Sequence, residues 1–103
     1  MRRRATEAVD GLETFLRVLL EIRNISPALP AVGVSILVHL RLQPEHSAKM
    51  GEVQKSLKIS QQRTSQLCHS LARKGLLRLT PSTEDRRSVQ VQLTEKSIRI
   101  IDR

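Results

Sequence analysis

The sequence predicts a mainly α-helical domain finished by a small β-hairpin. Three observations carry this. Apolar residues recur at spacings of three and four as far as Gly75, the spacing falls to two over residues 77–93, and Gly, Pro or Ser stands where most runs stop. With 103 residues the chain forms one small domain. A domain of this size buries only about two-thirds of its unfolded surface, so further burial through oligomerisation is expected.

Taken in order, residues 5–24 read as one amphipathic helix about 30 Å long. Ala8, Val9, Leu12, Phe15, Leu16, Leu19, Leu20 and Ile22 make an apolar stripe wide enough to meet both its own domain and a partner helix. Ser26-Pro27-Ala28-Leu29-Pro30 ends it and restarts the chain. A second helix reaches about Leu42, with Val34, Leu37, Val38 and Leu40 available to a core, and Gln43-Pro44 closes it. A short helix over residues 49–57 carries Met50, Val53 and Leu57. Lys58-Ile59-Ser60 is a tight break whose serine suits an N-cap. The next helix, 61–74, stops at Gly75, a favoured left-handed position. Beyond it Leu77 and Leu79, then Val89, Val91 and Leu93, alternate with polar residues as two half-buried strands. A polar loop over residues 81–88 joins them. Thr94 can cap a last helix, 95–103, bearing Ile98 and Ile101.

Charge is unevenly spread along this order. The chain holds 18 Lys and Arg against 10 Asp and Glu, net +8. Residues 1–48 carry six basic and five acidic side chains, and residues 49–103 carry twelve and five. A basic half joined to a near-neutral half points to a polyanionic partner. Nucleic acid is favoured, with an acidic protein or membrane surface as the alternatives.

Other classes fall away. The longest apolar stretch, residues 31–38, is far too short to span a bilayer. Glu7, Asp10, Glu13 and Arg17 interrupt any signal-peptide core behind Arg2-Arg3-Arg4, and the acids argue against a transit peptide. That arginine tract reads either as an arm touching phosphate or as a frayed terminus. A single cysteine, Cys68, makes no internal disulfide, which fits a reducing cytoplasm. On a helical wheel Cys68 falls beside Leu67 and Leu71, as a small buried hydrophobe rather than a thiol switch. His39, His46 and His69 show no metal-ligand spacing, and no nucleophile–base set or phosphate loop stands out. No enzyme, metal or cofactor is expected.

A short helix, a tight turn and a polar-faced helix make a helix-turn-helix, and the following hairpin makes it winged. The wheel places Thr64, Leu67, Cys68 and Leu71 inward. Gln62, Ser65, Gln66, His69 and Arg73 face out. No acid occurs from Ile59 to Arg78, while Arg63, Arg73, Lys74 and Arg78 are basic. Amides and hydroxyls without carboxylates suit the major groove, where glutamine pairs with adenine. The backbone donors of the first turn, around Ser60, Gln61 and Arg63, suit phosphate. With only Phe15 aromatic, the basic half offers no stacking platform for single strands or RNA, so duplex DNA is preferred.

Ser60-Gln61-Gln62-Arg63-Thr64-Ser65-Gln66-Leu67, then Leu71-Ala72-Arg73-Lys74-Gly75-Leu76-Leu77-Arg78, the loop Ser82-Thr83-Glu84-Asp85-Arg86-Arg87-Ser88-Val89, and Leu93-Thr94-Glu95-Lys96 follow one another. Over about residues 29–103 this resembles the winged helix-turn-helix of the MarR family of transcriptional regulators. The resemblance implies a cytoplasmic, nucleoid-associated homodimer that binds double-stranded DNA at a palindromic operator and represses by occluding a promoter. Residues 1–28 would then be an arm and dimerisation helix, with Leu12, Phe15, Leu16 and Leu19 at the interface. Gln62, Ser65, Gln66 and His69 become base or backbone contacts. Arg86 or Arg87 becomes the minor-groove arginine, which a narrow groove attracts, and Asp85 holds the wing in position. Family members usually continue into further C-terminal helices, and this sequence stops at Arg103. The usual effector pocket lies near the interface those helices build, so a small-molecule effector is not carried over. A winged-helix module docking on an acidic protein, or an accessory DNA-binding protein of replication, partition or mobile-element control, fits the same charges.

Overall fold

Helix α1 (Arg2–Ile25) turns Val18 and Ile22 into the core and holds Phe15 and Leu19 half-buried against it. In this computed structural model, which describes residues 2–82 and 88–103 and the side chains of 11–82 and 88–103, eight further elements follow. They are α2 (Ala31–Arg41), a 3-10 turn (Pro44–His46), β1 (Ser47–Lys49), α3 (Met50–Leu57), α4 (Gln61–Arg73), β2 (Leu77–Pro81), β3 (Val89–Leu93) and α5 (Glu95–Ile101). The helices thus match their expected positions to within a few residues, and so do both strands of the hairpin. Pro30 stands at the N-cap of α2, one residue before the helix.

The sheet has one strand more than the hairpin. Its order is β1-β3-β2, all antiparallel, with Ser47 opposite Gln92, Ala48 opposite Val91 and Lys49 opposite Gln90. Three residues are too few to display a period of two, so β1 has no pattern of its own. It forms because β3 offers a free edge and Ala48 is small enough to bury beneath it. Gln90 Nε2 donates to Ser47 Oγ (2.6 Å) across this new pair.

One core joins the layers. Val34, Ile36, Leu37 and Leu40 of α2 lie at its centre, and Val53, Leu67, Cys68, Leu71, Leu76, Val91 and Ile100 close around them. Ile36 and Val18 are fully buried although neither stood in the expected apolar sets. Val38 is only half-buried. Every buried side-chain nitrogen and oxygen among the described residues has a hydrogen-bond partner, which removes the largest penalty that polar burial incurs.

Helix α5 is fastened at both ends. At its start Thr94 Oγ1 accepts from Ser97 N (3.3 Å) as the N-cap and donates to Gly75 O (2.7 Å). Ser97 Oγ donates to Leu76 O. At its finish Arg17 of α1 donates to the carbonyls of Ile100 (2.8 Å) and Ile101, two acceptors that a helix C-terminus leaves open. Arg41 pairs with Asp102 at 2.8 Å, which holds the Asp102 carboxyl below its usual range. The short α5 therefore ties the end of α4 to α1.

Candidate nucleic-acid interface

Helix α4 is fixed from within. Thr64, Leu67, Cys68 and Leu71 are all buried, so its rotation about its own axis is set by the core. Thr64 is kept satisfied there by donating Oγ1 to Ser60 O (2.8 Å). Ser60 caps the helix, its Oγ accepting from Arg63 N (3.1 Å), so its hydroxyl serves the helix. Burial pushes the Cys68 thiol up to about 11, which leaves almost no thiolate at neutral pH and makes it a packing residue.

The opposite side of α4 faces solvent. Gln61, Gln62, Arg63, Gln66, His69 and Arg73 are exposed, and Ser65 is half-exposed among them. Ser65 and His69 interact one turn apart: the ring Nδ1 lies 2.8 Å from Ser65 O. A carbonyl only accepts, so Nδ1 is the donor in this pair. The structure thus brings the α4 candidates onto one surface. Arg86, Arg87 and Asp85 lie outside the described residues.

Two turns set the pose of α4, and they have the same construction. After α4, Leu76 N bonds Leu71 O (3.0 Å), Gly75 N bonds Ala72 O (3.0 Å), and Gly75 takes φ +75°. After α3, Ile59 N bonds Gln54 O (3.2 Å), Lys58 N bonds Lys55 O (3.3 Å), and Lys58 takes φ 55°. Both are Schellman ends. Only the first has the glycine that such a conformation favours, so the sequence announced one left-handed residue and concealed the other.

The hairpin rises beside α4. Leu77, Leu79 and Pro81 of β2 stand opposite Leu93, Val91 and Val89 of β3. Burial declines outward along this face, from Leu77 and Leu93 in the core to a half-buried Leu79 and Val89. Arg78 is exposed on the other face. His69, Leu79, Thr80, Pro81, Ser88 and Val89 line an open groove of about 290 Å³ between helix and hairpin. No sequence pattern reveals this groove, because its walls lie ten or more residues apart in the chain.

The MarR family profile matches residues 29–88, from the start of α2 to the hairpin. The chain belongs to the MarR family. Solved members superpose on nearly all of it. A MarR family transcriptional regulator from Streptomyces coelicolor, in complex with DNA, gives a TM-score of 0.72 at 20% identity, covering 99% of this chain and 64% of that one. The MepR–DNA complex of S. aureus gives 0.71 at 18%, covering 98% and 75%. Wild-type MarR from E. coli in its apo form gives 0.69 at 19%, covering 98% and 69%. At these identities the likeness is one of fold, and the chain spans just under two-thirds of the first of these proteins. No curated protein sequence matches it. The winged helix-turn-helix is therefore the observed architecture. Among the described residues, no three His, Cys, Asp or Glu side chains gather as a metal site, and no helix is long and apolar enough to cross a membrane.

Proposed function

We propose that this MarR family chain is a sequence-specific double-stranded DNA-binding transcriptional regulator, acting as a homodimeric repressor that occludes a promoter. The observation that carries this is the outward face of α4. It is locked in orientation by four buried residues, offers amides, a hydroxyl, an imidazole and guanidinium groups, and includes no carboxylate. Gln62, Ser65, Gln66 and His69 meet base edges or backbone in the major groove. The first turn, Ser60, Gln61 and Arg63, meets phosphate through backbone donors and charge, and Arg73 adds a phosphate contact at the other end. Arg86 or Arg87 enters the flanking minor groove, with Asp85 positioning it.

Residues 1–28 supply dimerisation and residues 29–103 the DNA-binding domain. Leu12 and Leu16 are 69% and 55% exposed, and Phe15 and Leu19 lie half-buried beside them. A dimer with two-fold symmetry reads a palindromic operator whose half-sites lie about one helical turn apart. DNA complexes of two family members of the same fold support the reading.

The test is selection of a preferred duplex from a random pool, followed by footprinting and light-scattering mass determination with and without that duplex. The expected result is one discrete protected palindrome bound by two copies. A monomer in both conditions rules out the two-fold arrangement. Failure to enrich any duplex rules out sequence-specific binding and leaves a winged-helix module for an acidic protein.

A further inference from the structure

Helix α4 ends in a turn whose shape its own backbone does not fix. The turn centres on Gly75 at φ +75°, and a glycine moves between backbone regions more readily than any other residue. Three consecutive carbonyls here, those of Lys74, Gly75 and Leu76, are met by side chains from the start of α5. Thr94 Oγ1 donates to Gly75 O (2.7 Å), Ser97 Oγ to Leu76 O, and Lys96 Nζ to Lys74 O (3.4 Å). The Thr94 hydroxyl also accepts from Ser97 N as the N-cap, so it is engaged on both sides. Ser97 is fully buried. A buried hydroxyl adds little net stability even when bonded, and alanine would suit a helix better. The serine instead gives the carbonyl it meets a fixed direction.

We propose that Thr94 and Ser97 are positioning residues for DNA reading, which set the tilt of α4 by holding the turn at its end. The proposal rests on the functional reading above and deepens it. Four buried residues set the rotation of α4 about its own axis, but rotation and tilt are separate freedoms. A helix of 13 residues is about 20 Å long, so a tilt of about 5° at one end moves the other by about 2 Å. Hydrogen-bond lengths vary by only about 0.5 Å, so Gln62 and Gln66 keep their base partners only while that end is held. Attraction between charge and phosphate falls off far more gently with distance. Discrimination between sequences therefore suffers before overall affinity does. Neither residue acts by touching DNA, since Ser97 is buried and the Thr94 hydroxyl is already engaged.

The experiment uses the full chain, a duplex selected from a random pool and a scrambled duplex, with binding followed by fluorescence anisotropy over a range of salt. The quantity read is the ratio of the two affinities. Thr94→Val and Ser97→Ala each remove one hydroxyl. Each should lower the ratio by about tenfold, the size of one misplaced base contact. The salt slope should stay unchanged, because no phosphate contact is lost. Thr94→Ser keeps the hydroxyl and should restore the ratio. Ile36→Val, a destabilising change at a buried position of α2, should leave the ratio at its native value.

An unchanged ratio in natively folded Thr94→Val and Ser97→Ala, with only stability lost, gives both residues a purely structural role and overturns the proposal. Equal losses on both duplexes with a lower salt slope make them direct backbone contacts and overturn it too. So does a ratio that stays low in Thr94→Ser or falls equally in Ile36→Val. If Thr94→Val fails to fold, Ser97→Ala decides alone, since Leu76 O there still accepts from Thr94 N (3.5 Å). Absence of any enriched duplex fails the functional reading itself, whereas enrichment with an unmoved ratio fails only the positioning role.

Discussion

Helices α1 and α4 are both amphipathic, and both turn an apolar side into the same core. They differ in what they leave outside. From α4 come glutamines, a serine, a histidine and arginines; from α1 come Leu12, Leu16 and Leu20, the last 54% exposed. A polar face without carboxylates gains from a polyanion and loses little by staying wet. A row of leucines at spacings of four gains only from another apolar surface. The same folding rule therefore leaves one helix with a polar outer face free of carboxylates and the other with an apolar one.

Substitutions on these faces separate the roles. The largest effect belongs to the inner side of α4: Leu71→Ala should lower unfolding free energy by about 2–5 kcal/mol, read by chemical denaturation, because it opens a cavity in a fully buried position. A loss below about 1 kcal/mol would mean that α4 is not anchored as described. On its outer side Gln66→Ala should leave unfolding unchanged but weaken binding to the selected duplex by about 1–3 kcal/mol, with relaxed specificity. Equal losses on selected and random duplexes would remove its base-reading role. For α1, Leu16→Gln should convert a dimer into a monomer by light scattering, while monomer stability at this exposed position moves by no more than about 0.5 kcal/mol. A dimer that persists unchanged would place the interface elsewhere. The smallest effect is a gain. Lys58→Gly should stabilise the chain by up to about 1 kcal/mol, by relieving a left-handed lysine in the turn between α3 and α4. Destabilisation on thermal melting would show that the lysine side chain contributes more than its backbone strain costs.

Local rules were legible where one segment held the whole signal. The inward set Thr64, Leu67, Cys68 and Leu71 follows from a 3.6-residue period, the caps Ser60 and Thr94 from their hydroxyls, and the turn at Gly75 from its lack of a side chain. Lys58 adopts the left-handed conformation with the same hydrogen bonds as Gly75, yet nothing in a lysine announces it. The exposed candidates on α4 were found by their period and their missing carboxylates. Val18 escaped because the apolar arc of α1 is broad, and a wheel does not show which part of a broad arc meets the core.

The sequence by itself determined the order of helices, the hairpin, the placement of charge in residues 49–103 and the face of α4 turned outward, since each depends on neighbours within a few turns of chain. Only tertiary structure decided that Ser47–Lys49 becomes a third strand, that Arg17 closes the end of α5, and that His69 shares a groove with Val89. These contacts join residues about 20 to more than 80 positions apart, and their stability comes from an edge, a set of open carbonyls or a gap that exists only after the core has packed.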